Sequence, residues 1–328
     1  MRLYIAPTAD FQYSYQMPKY FKDYTLKNVM AMVKNSKLDP VISPTRAEGH
    51  LAVITGATAG IGYYTAHKYA SMGADLLCIN RSREKSEQLA AEISGRYGTR
   101  CDFLVADFSS LAQTREVSTS LLALDRDIDV LIHNAGLYLT TRSETDEGFE
   151  TVWAVNHLSS FLMNELLLPK LAAQSRGRII MVNSEGHRFA PWGLRTDDLN
   201  WEKRRYSGLG AYGSAKLAQL LCIKVTAQRL AESPVTINAM HPGAVKTDSG
   251  KDNGRFYRWY KEKVIERNFR SAEISAEALY TLGIGESFCH ESGKFYHLTT
   301  LEDPAPPAED LQAAREIYEI SRVSCGLA

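Results

Sequence analysis

Short apolar runs alternate with longer, helix-patterned segments along most of the chain. The runs are Leu51–Thr55, Asp75–Ile79, Cys101–Ala106, Ile128–His133, Arg178–Asn183 and Val235–Met240. This alternation is typical of buried parallel strands joined by helical crossovers. We therefore predict an α/β fold built on a doubly wound parallel sheet, with a ligand site beyond the carboxyl ends of the strands.

The same pattern predicts how the chain is divided. A last strand is expected at Lys294–Leu298 and a closing helix at Ala308–Arg322, with no linker anywhere in residues 50–328. We therefore predict that residues 50–328 form one catalytic domain. Residues 1–49 form an N-terminal extension rich in tyrosine and phenylalanine. We expect it to pack on the main domain, because so aromatic a segment is seldom disordered.

Composition and charge narrow the functional classes. The 38 basic residues balance the 38 acidic ones, so we predict no nucleic-acid partner. Five scattered cysteines without a C-x-x-C motif indicate reduced thiols and a cytoplasmic protein. The longest stretch without Asp, Glu, Lys or Arg, Gly49–His67, contains four glycines and is a poor membrane span. We predict neither a transmembrane segment nor a metal site.

A glycine-rich turn follows the first apolar run. Its residues include Gly56, Thr58, Gly60, Ile61 and Gly62, and a helical pattern begins within it. Glycines let the backbone approach a pyrophosphate closely, and the helix N-terminus offers free N–H groups to it. The turn therefore predicts the dinucleotide site of a Rossmann fold, although its T-G-x-x-x-G-x-G spacing differs from the general G-x-G-x-x-G fingerprint.

Polar residues follow the other strands at the edge where this site would lie. They are Asn80 and Arg81, Asp107, Asn134–Gly136, Ser184 and His241–Gly243, after the second to sixth runs in that order. Agreement between residue type and predicted topology favours a functional site over isolated turn residues.

A tyrosine is followed four residues later by a lysine at four places. They are Tyr15/Lys19, Tyr64/Lys68, Tyr212/Lys216 and Tyr257/Lys261. On a helix the two side chains of such a pair share one face, where the lysine favours the phenolate form of the tyrosine. The spacing cannot choose among the four, but only Tyr212/Lys216 has the other parts of a reductase site ordered before it.

Together these motifs resemble the short-chain dehydrogenase/reductase family, and within it the retinol-dehydrogenase-like branch. The resemblance covers Leu51 to the C-terminus and rests on Asn134–Gly136, Val155–Phe161, Val182–Ser184, Tyr212–Lys216 and His241–Gly243. It implies hydride transfer between a nicotinamide and a carbonyl or alcohol. Asn183 departs from the family, which often has a second serine there, and His133 stands where an asparagine is frequent.

The resemblance assigns a role to each catalytic residue. Tyr212 would be the acid and base, and Ser184 would donate a hydrogen bond to the substrate oxygen. Lys216 would lower the pKa of Tyr212 and hold the nicotinamide ribose, and Asn156 would hold a water behind it. The remaining expected cofactor contacts are Asp107 and Phe108 near the adenine, Asn134, Ala135 and Gly136 under the adenosine ribose, and Pro242, Gly243, Val245 and Thr247 around the nicotinamide and pyrophosphate.

The residues after the second strand predict which dinucleotide is used. An acidic side chain there would bind the ribose 2′-hydroxyl, whereas an arginine would pair with a 2′-phosphate. Here Asn80 and Arg81 come first, and no carboxylate occurs before Glu84. We therefore predict NADP(H), with NAD(H) less favoured.

Two aromatic segments bear on the substrate. A long insertion separates Ser184 from Tyr212, and a segment around 248–272 is both aromatic and basic. We expect both segments to cover the nicotinamide as flaps, and we call the second one the lid. Two aromatic flaps favour a bulky apolar substrate, an alcohol or carbonyl compound such as a retinoid, steroid or polyketide-like molecule. The insertion could instead pack on itself. The basic lid leaves a peripheral membrane contact open, and a homodimer is compatible with the sequence.

Two other functional classes compete with this interpretation. The chain could be a cofactor-binding regulatory or scaffold protein with little turnover, or a nucleotide-sugar epimerase. The intact catalytic set disfavours the first, and the glycine spacing of the turn disfavours the second.

Overall fold

A single mostly parallel sheet organises the protein. The computed structural model describes residues 19–244 and 271–327. Its eight strands follow the order β3-β2-β1-β4-β5-β6-β7-β8, and β8 is antiparallel to β7. The strands are β1 Leu51–Thr55, β2 Asp75–Asn80, β3 Cys101–Val105, β4 Val130–His133, β5 Gly177–Val182, β6 Val235–His241, β7 Phe295–His297 and β8 Thr300–Leu301. The predicted doubly wound α/β fold is confirmed.

Helices cover both faces of this sheet. The helices of the described chain are α1 Leu26–Asn35, α2 Gly60–Ser71, α3 Arg83–Tyr97, α4 Leu111–Leu122, α5 Thr151–Trp153, α6 Ser159–Ala172, α7 Gly208–Arg229, α8 Glu273–Ile284 and α9 Leu311–Ser324, of which α1 belongs to the N-terminal extension. A π-helical turn, Ala154–Leu158, joins α5 to α6. The chain reverses its direction of winding between β1 and β4, which opens a crevice beyond their carboxyl ends.

Consecutive residues of one strand enter two separate cores. Val53 packs with residues of α4, α6, α7 and α9, whereas Ile54 packs with residues of α2, α3 and α8. Because both faces of the sheet are buried, the strands read as continuous apolar runs in the sequence.

Capping explains where the closing helix begins. The predicted helix started at Ala308, but Pro306–Glu309 forms a 3-10 turn and α9 begins at Leu311. Asp310 accepts hydrogen bonds from the backbone N–H of Gln312 at 2.9 Å and of Ala313 at 3.0 Å. This side-chain cap sets the helix start.

The described part of the N-terminal extension, residues 19–49, lies against the main domain. The Ser43 N–H donates to Thr281 Oγ1 of α8 at 3.0 Å, and Tyr280 Oη donates to the Thr45 carbonyl at 2.5 Å. Asn35 Nδ2 donates to Glu302 Oε2 at 3.0 Å. These bonds join the extension to α8 and to the loop after β8.

Two further observations concern the cysteines and the helices. All five cysteines are unpaired. Within residues 19–244 and 271–327, no helix has both the length and the apolar character needed to cross a membrane.

Candidate active site

Close packing of backbone defines the glycine turn after β1. Gly56 has φ +70°, a conformation that favours glycine. A Cβ on Gly62 would lie 2.2 Å from the Gly56 carbonyl oxygen, so no side chain fits there. Gly60 begins α2, whose first N–H groups lack partners within the helix. The turn thus combines close backbone approach with a helix N-terminus, as a pyrophosphate requires.

Asn134 ties the end of β4 to this turn. Its Nδ2 donates to the carbonyls of Thr55 at 3.0 Å and Gly56 at 2.9 Å, while Thr55 Oγ1 accepts from the N–H groups of Asn134 and Ala135. The Asn134 side chain therefore shapes the crevice from within the fold. Gly136, two residues on, is exposed.

The strand β2 is one residue longer than predicted and ends at Asn80, whose surroundings differ from those of Arg81. Asn80 is buried, and its Oδ1 accepts from the Ala57 N–H at 2.6 Å while its Nδ2 donates to Ser86 Oγ at 3.1 Å. Asn80 therefore holds the glycine turn, whereas its neighbour Arg81 is exposed beside that turn. After β3, Asp107 accepts from Ser109 and Phe108 is buried.

Ser184 and Tyr212 meet at the end of β5. Ser184 starts a 3-10 turn, Glu185–Phe189, in which its Oγ accepts from the Gly186 N–H at 2.9 Å. Ser207 caps the start of α7, which places Tyr212 in the first turns of that helix. The Ser184 side chain lies close enough to Tyr212 to lower the pKa of its phenol, and a Cβ on Gly186 would contact both side chains. A carbonyl oxygen placed between them would therefore meet two hydroxyl donors.

Gly186 leaves room for the Tyr212 ring to lie next to Ser184, and this role of Gly186 was not predicted from the sequence. A Cβ there would lie 2.5 Å from Tyr212 Cε1 and 3.2 Å from Ser184 Oγ. Its position two residues after the serine was the only available signal.

Burial pushes both members of the Tyr212/Lys216 pair towards their neutral forms. It raises the pKa of Tyr212, and the Ser184 side chain offsets this only in part. It also lowers the pKa of Lys216 to about 7. The Lys216 Nζ lies 5.8 Å from the Tyr212 ring centroid. The net shift of the Tyr212 pKa is thus upward, against the lowering expected from Lys216, and desolvation is its largest cause.

Asn156 lies in the π-helical turn between α5 and α6, and such turns are frequent at functional sites. Its Oδ1 accepts from the Leu137 N–H, and its Nδ2 donates to the Leu137 carbonyl, both at 2.8 Å. The side chain therefore holds the loop after β4. The Asn156 carbonyl accepts from Gln219 Nε2 at 2.5 Å.

The insertion between Ser184 and Tyr212 divides into two parts. Leu194 and Leu199 pack against the main core, and Trp201 is buried. Phe189, Trp192 and Leu209 remain about half exposed. The Trp192 ring lies 6.4 Å from the ring of Phe21 and 6.2 Å from that of Tyr24, both in the N-terminal extension. Tyr138, also missed from sequence, packs edge-on at 6.0 Å against Tyr212.

A charged cluster lies directly behind Ser184. Possible ligand atoms of Glu185, His297 and Glu302 lie within 4.8 Å of one another. Arg188 pairs with Glu185 and, at 3.3 Å, with Glu302. Because the guanidinium already supplies positive charge, we interpret the cluster as a buried ion-pair network rather than a metal site. Burial and the neighbouring Glu302 raise the pKa of Glu185.

Only part of the predicted nicotinamide segment lies within the described residues. Pro242 is buried and its carbonyl accepts from Ser275 Oγ at 2.6 Å, while Gly243 has φ +78°. Several predicted positions lie outside the described residues: Val245, Thr247, Tyr15, Tyr257, Lys261 and nearly all of the 248–272 lid. Lys19 is described, but its partner Tyr15 is not.

Comparison with known proteins agrees with this geometry. The sequence profile of the short chain dehydrogenases matches residues 50–193. Human retinol dehydrogenase 13 is 34% identical over 284 residues, which cover 85% of each chain. The chain belongs to the short-chain dehydrogenase family.

Other relatives extend the comparison of this short-chain dehydrogenase. A Streptomyces protein provisionally named daunorubicin C-13 ketoreductase is 31% identical, with 85% of this chain and 93% of that protein covered. A crystal structure from Mycobacterium paratuberculosis superposes with a TM-score of 0.67 at 27% identity, covering 89% of this chain and 97% of the other. The chain is thus retinol-dehydrogenase-like, in an oxidoreductase family that binds nicotinamide dinucleotides.

Proposed function

We propose that the protein is an NADP(H)-dependent oxidoreductase that interconverts a carbonyl and a primary or secondary alcohol on a bulky apolar substrate. The meeting of Ser184, Tyr212 and Lys216 at the carboxyl edge of β5 carries this proposal. The glycine turn, with no room for a Cβ at Gly62, fits the pyrophosphate of a dinucleotide.

Each catalytic residue then has a chemical task. A dinucleotide held at the glycine turn would supply or accept the hydride at the substrate carbon. In reduction, the phenol of Tyr212 gives its proton to the carbonyl oxygen, which becomes the alcohol. That phenol is protonated at neutral pH, the form that reduction needs, and burial raises its pKa further. Ser184 donates a hydrogen bond to the same oxygen as negative charge develops on it.

NADP(H) is proposed over NAD(H) because of the difference between Asn80 and Arg81. Since Asn80 is committed to the glycine turn, the exposed Arg81 is the side chain that would pair with a 2′-phosphate. Arg81→Asp should therefore reverse the preference for NADPH over NADH, measured as the ratio of kcat/KM values. Arg96→Asp, at the other end of α3, is the matched control and should leave the ratio unchanged. An unchanged ratio in Arg81→Asp would reject the assignment.

The rim of the site supports an apolar substrate. Phe189, Trp192 and Leu209 present half-exposed apolar side chains on the insertion, and Tyr138 lies against the Tyr212 ring. By their names, two of the relatives act on retinol and on the C-13 ketone of daunorubicin. A retinoid, steroid or polyketide-like carbonyl compound is accordingly the proposed substrate class, with the segment around 248–272 as its lid.

The deciding experiment is NADPH oxidation with a panel of retinal, steroid ketones, aromatic polyketide ketones and small aldehydes. We expect turnover that prefers the large apolar members and is lost in Tyr212→Phe. Tight NADPH binding without turnover of any member would favour the regulatory or scaffold alternative.

Three further properties belong to this proposal. The unpaired cysteines support a cytoplasmic protein. A peripheral membrane contact through the basic segment, and a homodimer, would be tested by liposome flotation and by sedimentation. Protein that stays unbound to anionic liposomes would reject the contact, and a monomer mass would reject the dimer.

A further inference from the structure

Gln219 lies at the centre of a buried hydrogen-bond network that joins the catalytic residues. It stands three positions after Lys216 on α7 and is 3% exposed. Its Oε1 accepts from Lys216 Nζ at 3.1 Å and from Asn183 Nδ2 at 2.9 Å. Its Nε2 donates to the Asn156 carbonyl at 2.5 Å. One neutral side chain thus contacts two members of the catalytic set directly.

The orientations of the two amides in this network are determined by backbone groups. Asn183 Nδ2 must be the donor because it also meets the Lys216 carbonyl at 3.0 Å. Asn183 Oδ1 must be the acceptor because it meets the Ser184 N–H at 2.8 Å. Gln219 must therefore turn its oxygen to Asn183 and its nitrogen to the Asn156 carbonyl.

This arrangement limits where the Lys216 ammonium can point. The protonated form of Lys216, which the negative charge of a bound dinucleotide would favour, has three N–H donors. Two of them go to the Val182 carbonyl at 2.8 Å and to Gln219 Oε1 at 3.1 Å. Tetrahedral geometry then sets the direction of the third.

We propose that Gln219, supported by Asn183, is a positioning residue that aims the third N–H of Lys216 at the dinucleotide ribose. The inference rests on the proposed function and deepens it. The Gln219 amide joins Asn156 to Lys216 directly, which is the link that the family resemblance assigns to a water. Because an amide does not titrate near neutral pH, Gln219 orients Lys216 and carries no proton itself.

The network also accounts for Asn183, which stands where the family often has a serine. A hydroxyl has a single proton to donate, so it could not serve both Gln219 Oε1 and the Lys216 carbonyl. Asn183 Nδ2 bonds to both. Asn183, which replaces the usual serine, and Gln219 therefore belong to one hydrogen-bond network.

Three variants test the proposal. Gln219→Met keeps the length of the side chain and removes both halves of the bridge, whereas Gln219→Glu keeps the acceptor for Lys216 and removes the donor to Asn156. Gln174→Met is the matched control. Gln174 is 6% exposed and makes three hydrogen bonds, to the N–H and carbonyl of Ile128 and to the Arg176 carbonyl, away from the site.

Each folded variant is tested in two ways. Fluorescence gives its affinity for NADPH, and steady-state kinetics give its kcat and KM for a carbonyl substrate. We expect Gln219→Met to weaken NADPH binding and lower kcat by roughly 10- to 100-fold, with the carbonyl KM little changed. Gln219→Glu should recover most of the NADPH affinity. Gln174→Met should lose thermal stability alone.

The proposal is overturned if folded Gln219→Met matches the wild type in NADPH affinity and kcat, or if Gln174→Met loses as much of both. Failure of the proposed function gives a different result. A wild-type protein that binds NADPH but reduces no carbonyl compound would end that function, while the effect of Gln219→Met on NADPH affinity would still decide the present inference.

Discussion

Tyr64/Lys68 on α2 and Tyr212/Lys216 on α7 have the same spacing on the same kind of helix, yet their surroundings differ. Tyr64 is 37% exposed, and Lys68 Nζ lies 2.8 Å from Glu277 Oε2 and 5.0 Å from the Tyr280 ring centroid. Lys216 is 4% exposed, and its hydrogen bonds within the described chain go to neutral oxygens. The first lysine has a carboxylate to balance its charge, and the second does not.

The comparison shows that partner type and burial decide the chemistry of such a pair. A carboxylate in contact stabilises an ammonium, whereas carbonyl and amide oxygens in a buried site compensate only part of the lost hydration. This is why the pKa of Lys216 falls to about 7. The protonation of Lys216 can therefore change when a dinucleotide binds, whereas the ion pair of Lys68 mainly joins α2 to α8.

The strongest test of the comparison exchanges each tyrosine for phenylalanine. Tyr212→Phe should lower kcat for carbonyl reduction by about 10²- to 10⁴-fold, because the proton donor is removed. Tyr64→Phe should leave kcat unchanged. Equal losses in the two variants, or full turnover in Tyr212→Phe, would contradict the assignment of the pair.

The second test uses the pH dependence of stability. The pKa of Lys216 is about 7 in the folded protein against 10.5 in the unfolded chain, so the unfolded state binds more protons between these values. Stability contributed at this site should therefore rise with pH across that window, by on the order of 5 kcal/mol. Urea unfolding of wild type and Lys216→Met across the window should show the difference in unfolding free energy growing in favour of the wild type.

Lys68→Met provides the control for that measurement. A pH-dependent difference of the same size in Lys68→Met would show that the effect does not belong to Lys216, and a flat difference in Lys216→Met would show that burial does not shift its pKa.

The smallest effect is expected from Glu277→Gln, which removes the carboxylate next to Lys68. Loss of this partly exposed ion pair should reduce the free energy of unfolding by about 1 kcal/mol. NADPH turnover should not change, since α8 and Lys68 lie outside the catalytic set. A drop in kcat without a loss of stability would mean that the α2 pair also takes part in function.

Sequence patterns predicted the sheet well for a physical reason. Strands buried on both faces, such as β1 and β5, are mostly apolar along their length, and the helices between them show a helical period instead. Ser184 and Tyr212 were found because each follows or begins an element at the predicted edge. Boundaries such as the start of α9 depended on a single cap, Asp310.

Other features could not be predicted because their partners are distant in sequence. Gln219 meets Asn156 from 63 positions away, and Asn80 turns its amide back to Ala57 across 23 positions. Gly186 is required by the ring of Tyr212, which belongs to another element. Hydrogen-bond partners of this kind depend on how elements pack against one another, and local periodicity carries no information about that.

The sequence by itself determined the order of strands and helices, the family and the residue types available for hydride-transfer chemistry, because these follow from local patterning and short motifs. Tertiary structure alone decided which lysine is stripped of water and which meets a carboxylate. Burial and charge pairing are long-range consequences of packing, so two identical Tyr/Lys spacings acquire different chemistry on α2 and α7.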